Sequence, residues 1–79
     1  MPRYQLTATI WREGDQYVST CPELGVASVG DSAEEALEAL REAVELYLEN
    51  ARELGILGNL ETTLTAPRRF SAPLEVSVP

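Results

Sequence analysis

Ser32-Ala-Glu-Glu-Ala-Leu-Glu-Ala-Leu-Arg-Glu-Ala-Val-Glu-Leu-Tyr-Leu-Glu-Asn-Ala-Arg-Glu-Leu-Gly55 decides how this chain folds. Ser32 and Glu35 stand at the S-x-x-E spacing of a capping box, in which hydroxyl and carboxylate take up backbone N–H groups that a first helical turn leaves without partners. Gly55 stands where a helix ends in a left-handed residue. Between them Leu37, Leu40, Val44, Tyr47, Ala51 and Leu54 recur at steps of three and four, and Ala33, Ala36 and Ala43 widen the stripe. At about 100° per residue these positions share one side of a helix. Glu34, Glu38, Glu42, Glu45, Glu49 and Glu53 fall on the opposite side. The spacing predicts a helix over 33–54, apolar toward a core and acidic toward water.

The sequence before this helix reads as β structure. Tyr4, Leu6, Ala8 and Ile10 alternate with Gln5, Thr7, Thr9 and Trp11, the pattern of a half-buried strand over 4–12. Glu13-Gly14-Asp15 supplies turn residues, and Gln16 to Cys21 resumes a β run, so a hairpin is expected. A three-residue loop pairs Ile10 with Val18 and Trp11 with Tyr17; a two-residue loop pairs Ile10 with Ser19. Cross-strand matching of apolar with apolar and aromatic with aromatic favours the first. In that register Ile10 and Val18 lie under the helix, and Trp11 and Tyr17 form an outward aromatic pair of the kind that marks association surfaces. Pro22 lacks an N–H and ends the second strand. Val26 to Val29, closed by Gly30, forms a third.

After Gly55 the pattern weakens until Leu74 to Val78, which alternates again and reads as a last strand at a sheet edge, bracketed by Pro73 and Pro79. The expected fold is thus α+β: a three-stranded antiparallel meander, one long helix, then a further strand, all in a single domain over 1–79. A helix over 33–54 is about 33 Å long at 1.5 Å per residue. The first strand reaches only about 27 Å even if all of 4–12 is extended. The helix therefore overhangs the sheet, and Tyr47, Leu48, Ala51 and Leu54 need a further cover, either residues 56–64 folded back or a second subunit.

Thirteen acids against six arginines give a net charge of −7, and Arg68-Arg69 is the one adjacent basic pair. Phosphate binding needs clustered positive charge, so direct contact with nucleic acid is not expected, whereas a basic protein partner suits this surface. One cysteine and no histidine leave neither an internal disulfide nor a Cys/His zinc site. Cys21 has no histidine or cationic cluster to activate it and reads as a packed side chain. The glutamates gather on a helix exterior rather than in a cleft, and no nucleotide-binding or nucleophile motif is present, so the chain reads as neither an enzyme nor a cofactor carrier. No segment reads as a signal peptide or a membrane span, and the expected location is cytoplasmic.

Acids near a helix start are favourable with its dipole, which accounts for Glu34, Glu35 and Glu38. Glu49 and Glu53 lie near the unfavourable end, and Glu45–Glu49 and Glu49–Glu53 are like-charged i,i+4 pairs, each unfavourable by about 0.2–0.5 kcal/mol. A solvated glutamate-rich surface and an imprint for a basic partner both fit this pattern.

The stretches Tyr17-Val-Ser-Thr-Cys-Pro22-Glu-Leu-Gly25, Gly30-Asp31-Ser32-Ala-Glu-Glu35-Ala36-Leu37 and Glu42-Ala43-Val44-Glu-Leu-Tyr47-Leu48, in this order, resemble the N-terminal domain of HicB-family antitoxins and their short stand-alone relatives. The resemblance covers roughly residues 4–54. It implies a reduced RNase H-like fold in which a strand after the helix pairs parallel to the first. It also implies masking of a small basic mRNA-cleaving toxin (a HicA-like partner) by protein contact, and homo-oligomerisation. Full-length members bind operator DNA through a separate C-terminal domain, and none is expected within 1–79. RNase H chemistry needs carboxylates on the first and last strands. Here the first offers none before Glu13 and the last only Glu75, so the likeness is to the fold and not to the nuclease. The expected partner-binding residues are Glu38, Glu42, Glu45 and Glu49. Those expected to serve self-association, with or without a toxin, are Trp11, Tyr17, Tyr47 and Leu48.

Overall fold

Three antiparallel strands in the order β1-β2-β3 are followed by one long helix laid across them. The computed structural model describes residues 4–60, Leu64 and residues 72–78. Its elements are β1 (Thr9–Glu13), β2 (Gln16–Cys21), β3 (Val26–Gly30) and α1 (Ala33–Glu53), with a 3-10 turn at Leu57–Leu60.

The ends of α1 form as their residues dictate. Ser32 is the N-cap; its Oγ accepts from the Glu35 N–H at 3.1 Å. The Glu35 carboxylate reaches back to the N–H of Asp31 at 3.0 Å, one residue beyond the usual capping-box donor. At the other end Gly55 takes φ +75°, its N–H bonds the Arg52 carbonyl, and the Ile56 N–H bonds the Ala51 carbonyl at 2.9 Å. These paired bonds are a Schellman motif, which glycine enters without the steric penalty of a Cβ.

The hairpin corrects the expected register. Ile10 pairs with Ser19, Trp11 with Val18, and Arg12 with Tyr17, so the loop is the two residues Gly14-Asp15. Gly14 has φ +62° and Asp15 keeps a negative φ, the pattern of a type II′ turn, whose twist matches that of the flanking strands. Turn chemistry outweighs the attraction of a Trp11–Tyr17 pair. Because side chains alternate along a strand, the one-residue change moves half of the hairpin to the other face. Ile10, Ser19 and Ser28 form a row beneath α1; Trp11, Val18 and Val29 form a row on the open face. Val18 is therefore not a core residue. Tyr17, expected outward beside Trp11, lies on the helix side, level with Arg12 and Gly30.

Only the second half of the first expected strand joins the ladder: β1 begins at Thr9, and residues 4–8 run outside it. The reason lies opposite. The observed register, continued backward, brings Thr7 level with Pro22, where β2 has ended. The last expected strand is not formed either. Residues 72–78 belong to no strand, and Leu74, Val76 and Val78 are 85%, 71% and 89% exposed.

The core centres on small residues. Ala36, Leu40 and Ala51 of α1 are buried, with Ser19 and Cys21 of β2 and Leu64. Gly30 lets the strand end pass directly under the helix: a Cβ there would lie 2.5 Å from the Ala36 nitrogen. The apolar stripe is correspondingly rotated from its expected centre. Leu37, Tyr47 and Leu54, assigned inward by spacing, are 45%, 37% and 74% exposed. At the overhanging end Ala51 is buried and Leu57 and Leu60 are half-buried, while Tyr47 and Leu54 stay open to solvent.

Candidate functional site

Three surfaces carry the residues that the sequence singles out. The first is the outward face of α1. Glu38, Glu42, Glu45 and Glu49 are all exposed, as are Glu34, Glu35 and Glu53. With 100° between successive residues, the four named glutamates lie along one ridge on the side away from the sheet. Arg41 pairs with Glu38 at 3.6 Å across an i,i+3 step, with both side chains largely in water. Such a pair contributes at most about 1 kcal/mol and leaves the ridge strongly negative.

The second surface is the open face of the sheet. Trp11, Val18 and Val29 sit side by side across β1, β2 and β3, with Trp11 43% and Val29 51% exposed. Beside this row the Thr9 and Thr20 hydroxyls hydrogen-bond to each other. Of the two aromatic residues expected here only Trp11 is present; its neighbours are valines, and Tyr17 is on the far side.

The third surface is an open cleft of about 690 Å³ between residues 4–8 and α1. Leu6, Ala8 and Cys21 line one wall; Leu37, Leu40, Val44 and Leu48 line the other. Arg41 and Glu45 stand beside it. Leu48 is thus half-buried in the cleft wall, whereas Tyr47, its expected companion in self-association, is exposed and does not line the cleft. The structure does not gather Trp11, Tyr17, Tyr47 and Leu48 into one patch.

A carboxylate that sequence reasoning passed over fixes the wall of this cleft. Glu23, in the turn between β2 and β3, accepts the Thr7 N–H on both oxygens at 3.1 Å and the Thr7 hydroxyl at 2.7 Å. It takes the place that a strand would have held opposite Thr7. Burial pushes the Glu23 carboxyl up, but hydrogen bonds from Thr7 and from its own backbone N–H prevail and hold it below the usual carboxylate range. The Cys21 thiol lies 3.5 Å from Glu23 and is 1% exposed. Burial, followed by the hydrogen bond to Glu23, pushes its pKa up, so the thiol stays protonated and packs as an apolar group. Pro22-Glu23 is the legible trace of this arrangement, but its meaning depends on the hairpin register.

Among the described residues no three His, Cys, Asp or Glu side chains come together as a metal site, and no helix is long and apolar enough to cross a membrane. The ridge offers contact by charge, and the sheet face and the cleft offer apolar contact. Compared with protein-family models, with curated proteins and with solved structures, the chain matches none.

Proposed function

We propose that this chain is a HicB-like binding module with a reduced RNase H-like fold, which masks a small basic mRNA-cleaving protein by contact rather than by chemistry. The observation that carries this reading is the exposed ridge of Glu38, Glu42, Glu45 and Glu49 on a chain of net charge −7. Fixed negative charge on a helix steers a basic partner into encounter and sets its orientation. The β-β-β-α order and the residues of the Pro22 turn and the helix start support the same reading.

The test is binding to a small basic ribonuclease encoded beside this chain. Glu42→Arg combined with Glu49→Arg is expected to weaken the complex by about tenfold or more and to reduce its salt dependence, because rim and face charges act chiefly on association. Unchanged affinity removes the ridge from the interface. Absence of a toxic neighbour that this chain relieves removes the antitoxin reading.

A second reading, a homo-oligomeric regulatory or structural protein without a toxin, is favoured by the Trp11–Val18–Val29 row, since contiguous exposed apolar side chains mark association surfaces. Light scattering on the purified chain tests it; a strict monomer opposes it.

A further inference from the structure

Among the described residues the outer edge of β3 has no strand beside it. Glu13 and Gln16 close the two-residue hairpin as a hydrogen-bonded pair, and such pairs alternate along an antiparallel ladder. Tyr17, Ser19 and Cys21 therefore turn their N–H groups toward β3, opposite Gly30, Ser28 and Val26. The main-chain N–H and C=O groups of Ala27 and Val29 are left pointing outward, and no described residue bonds them there. Val26-Ala-Ser-Val-Gly30 carries neither charge nor proline, the devices that keep sheet edges from pairing, whereas β1 carries Arg12 and Glu13. The helix supplies a flank beside this edge. Leu37, Val44 and Leu48 face residues 4–8, so the side of α1 toward the β3 edge bears Ala39, Ala43, Leu46 and Asn50, at steps of four, three and four. Ala39 and Ala43 are half-buried and Leu46 is 59% exposed. The Ala36 carbonyl accepts from Ser19 of β2, and Ala36 also lies over Gly30 of β3, so the helix axis there runs between these two strands. From there α1 runs back along β3, bringing Val44 beside Cys21, the partner of Val26. Gly30 to Ser28 is about 6.6 Å of strand, or about four residues of helix, which sets Ala39 and Ala43 about level with Ser28.

We propose that two copies of this chain pair antiparallel along β3, about a two-fold axis through Ser28, giving one six-stranded sheet with both helices on the same face. Ala27 of each copy then exchanges two hydrogen bonds with Val29 of the other, and the two Ser28 hydroxyls meet at the axis. Strands stand about 4.8 Å apart, and each helix axis lies about half a spacing inside its own β3. The two helices therefore run about 10 Å apart, the distance at which helices pack. Ala39 and Ala43 leave room at the closest approach, and Leu46 of each copy gains a cover. Five edge residues and about seven flank residues per copy, at about 30–40 Å² each, bury about 700–1,000 Å² in total. That is the low end for a specific contact, so the dimer dissociates on dilution. Glu35 and Glu42 border the contact and each copy carries −7, so salt strengthens the pairing, the opposite of its effect on a basic partner held by the acidic ridge. The inference rests on the self-association reading and deepens it, naming the edge and the register and moving the contact from the sheet face to the sheet edge.

The test uses the full chain. Sedimentation equilibrium is expected to give a reversible dimer whose dissociation constant falls as salt rises from about 0.1 M to about 1 M, where screening shortens from about 10 Å to about 3 Å. Ala27→Pro removes an outward N–H and leaves the inner ladder intact, since Ala27 bonds nothing toward β2. It is expected to raise the dissociation constant by about tenfold or more, because each dimer loses two of its four main-chain bonds. Helical circular dichroism should persist in that variant, and Trp11→Ser should leave the dimer intact. In a Cys21→Ala background, Ser28→Cys should close a disulfide between copies under a mild oxidant, since residues opposed at the axis have Cα atoms about 4.5 Å apart. A parent chain that stays monomeric at its highest soluble concentration overturns both this inference and the self-association reading. A dimer indifferent to Ala27→Pro, or one that forms no Ser28→Cys cross-link, overturns this inference alone. Loss of that dimer with Trp11→Ser would then assign the contact to the open sheet face.

Discussion

Ser19 Oγ donates a 2.8 Å hydrogen bond to the main-chain carbonyl of Ala36, at a point where neither residue has any exposure to solvent. This bond joins the middle of the central strand to the second turn of the helix and sets the height at which α1 rides over the sheet. A hydroxyl in a core is tolerated only when its hydrogen bond is made, and here the acceptor lies within the helix itself.

Ser19→Ala should lower stability by about 1 kcal/mol, the net value of one buried hydrogen bond, with a fall in Tm of about 4–8 °C. The Ala36 carbonyl keeps its helical bond, so no acceptor is stranded. Ser19→Val should be worse, because the added methyl groups press against a helix that has no room to rise. Thermal melts of the two variants give the ranking.

Gly30→Ala should be more damaging than its size suggests. The new Cβ would meet the Ala36 nitrogen at 2.5 Å and the Glu35 carbonyl carbon at 2.8 Å, both main-chain atoms that cannot rotate aside. Either β3 or the start of α1 must shift, and overpacking of this kind costs about 1–3 kcal/mol. Urea denaturation should show a lower midpoint. A midpoint equal to that of the parent would mean that the helix start is not seated on Gly30.

Glu23 predicts a response to acid. Its carboxyl is held below the ordinary range in the folded chain, so its contribution to stability is complete above the unfolded value and fades as pH falls through the folded one. Segment 4–8 should then detach from the Pro22 turn before the sheet melts. The protection of the Thr7 amide against exchange, measured relative to its intrinsic rate at each pH, should fall in acid in the parent chain. Glu23→Gln should give fast Thr7 exchange already at neutral pH and a flatter acid dependence, with a loss of about 1–2 kcal/mol for the charged hydrogen bonds.

Cys21 should be nearly inert to thiol reagents at neutral pH while the chain is folded, since the sulfur is buried and its pKa is raised. Reaction should become fast in denaturant. Rapid labelling of the native chain would mean that the cleft wall opens at Cys21.

The helix was legible because its signals are local and redundant: a cap at Ser32, a stop at Gly55 and a repeat between them that needs no knowledge of the rest of the chain. The meander was legible for the same reason, since Gly14 and Pro22 punctuate it. The register was not. Matching Trp11 to Tyr17 weighs side chains, whereas the hairpin is decided by what Gly14 does at positive φ, and the two criteria differ by one residue. That single step sent Val18 out of the core and Tyr17 under the helix. It also hid the part played by Glu23, which acquires meaning only once Thr7 is known to stand level with Pro22. Of the candidate sites, the acidic ridge followed directly from helical periodicity. The cleft did not, because it exists between segments far apart in sequence. The alternation of Leu74, Val76 and Val78 was visible, but alternation says only that a segment suits a strand, and residues 72–78 belong to none.

The placement of Trp11 equips the molecule with its own optical readout. It is the only tryptophan, it lies on the open face of the sheet, and the ridge and the cleft are both on the side of α1. Its emission therefore registers what happens on one surface and is largely blind to the other two. A shift to shorter wavelength on association would mean that the sheet face has been covered. An unchanged spectrum in an associated state would assign the contact to the helix side without any label being introduced.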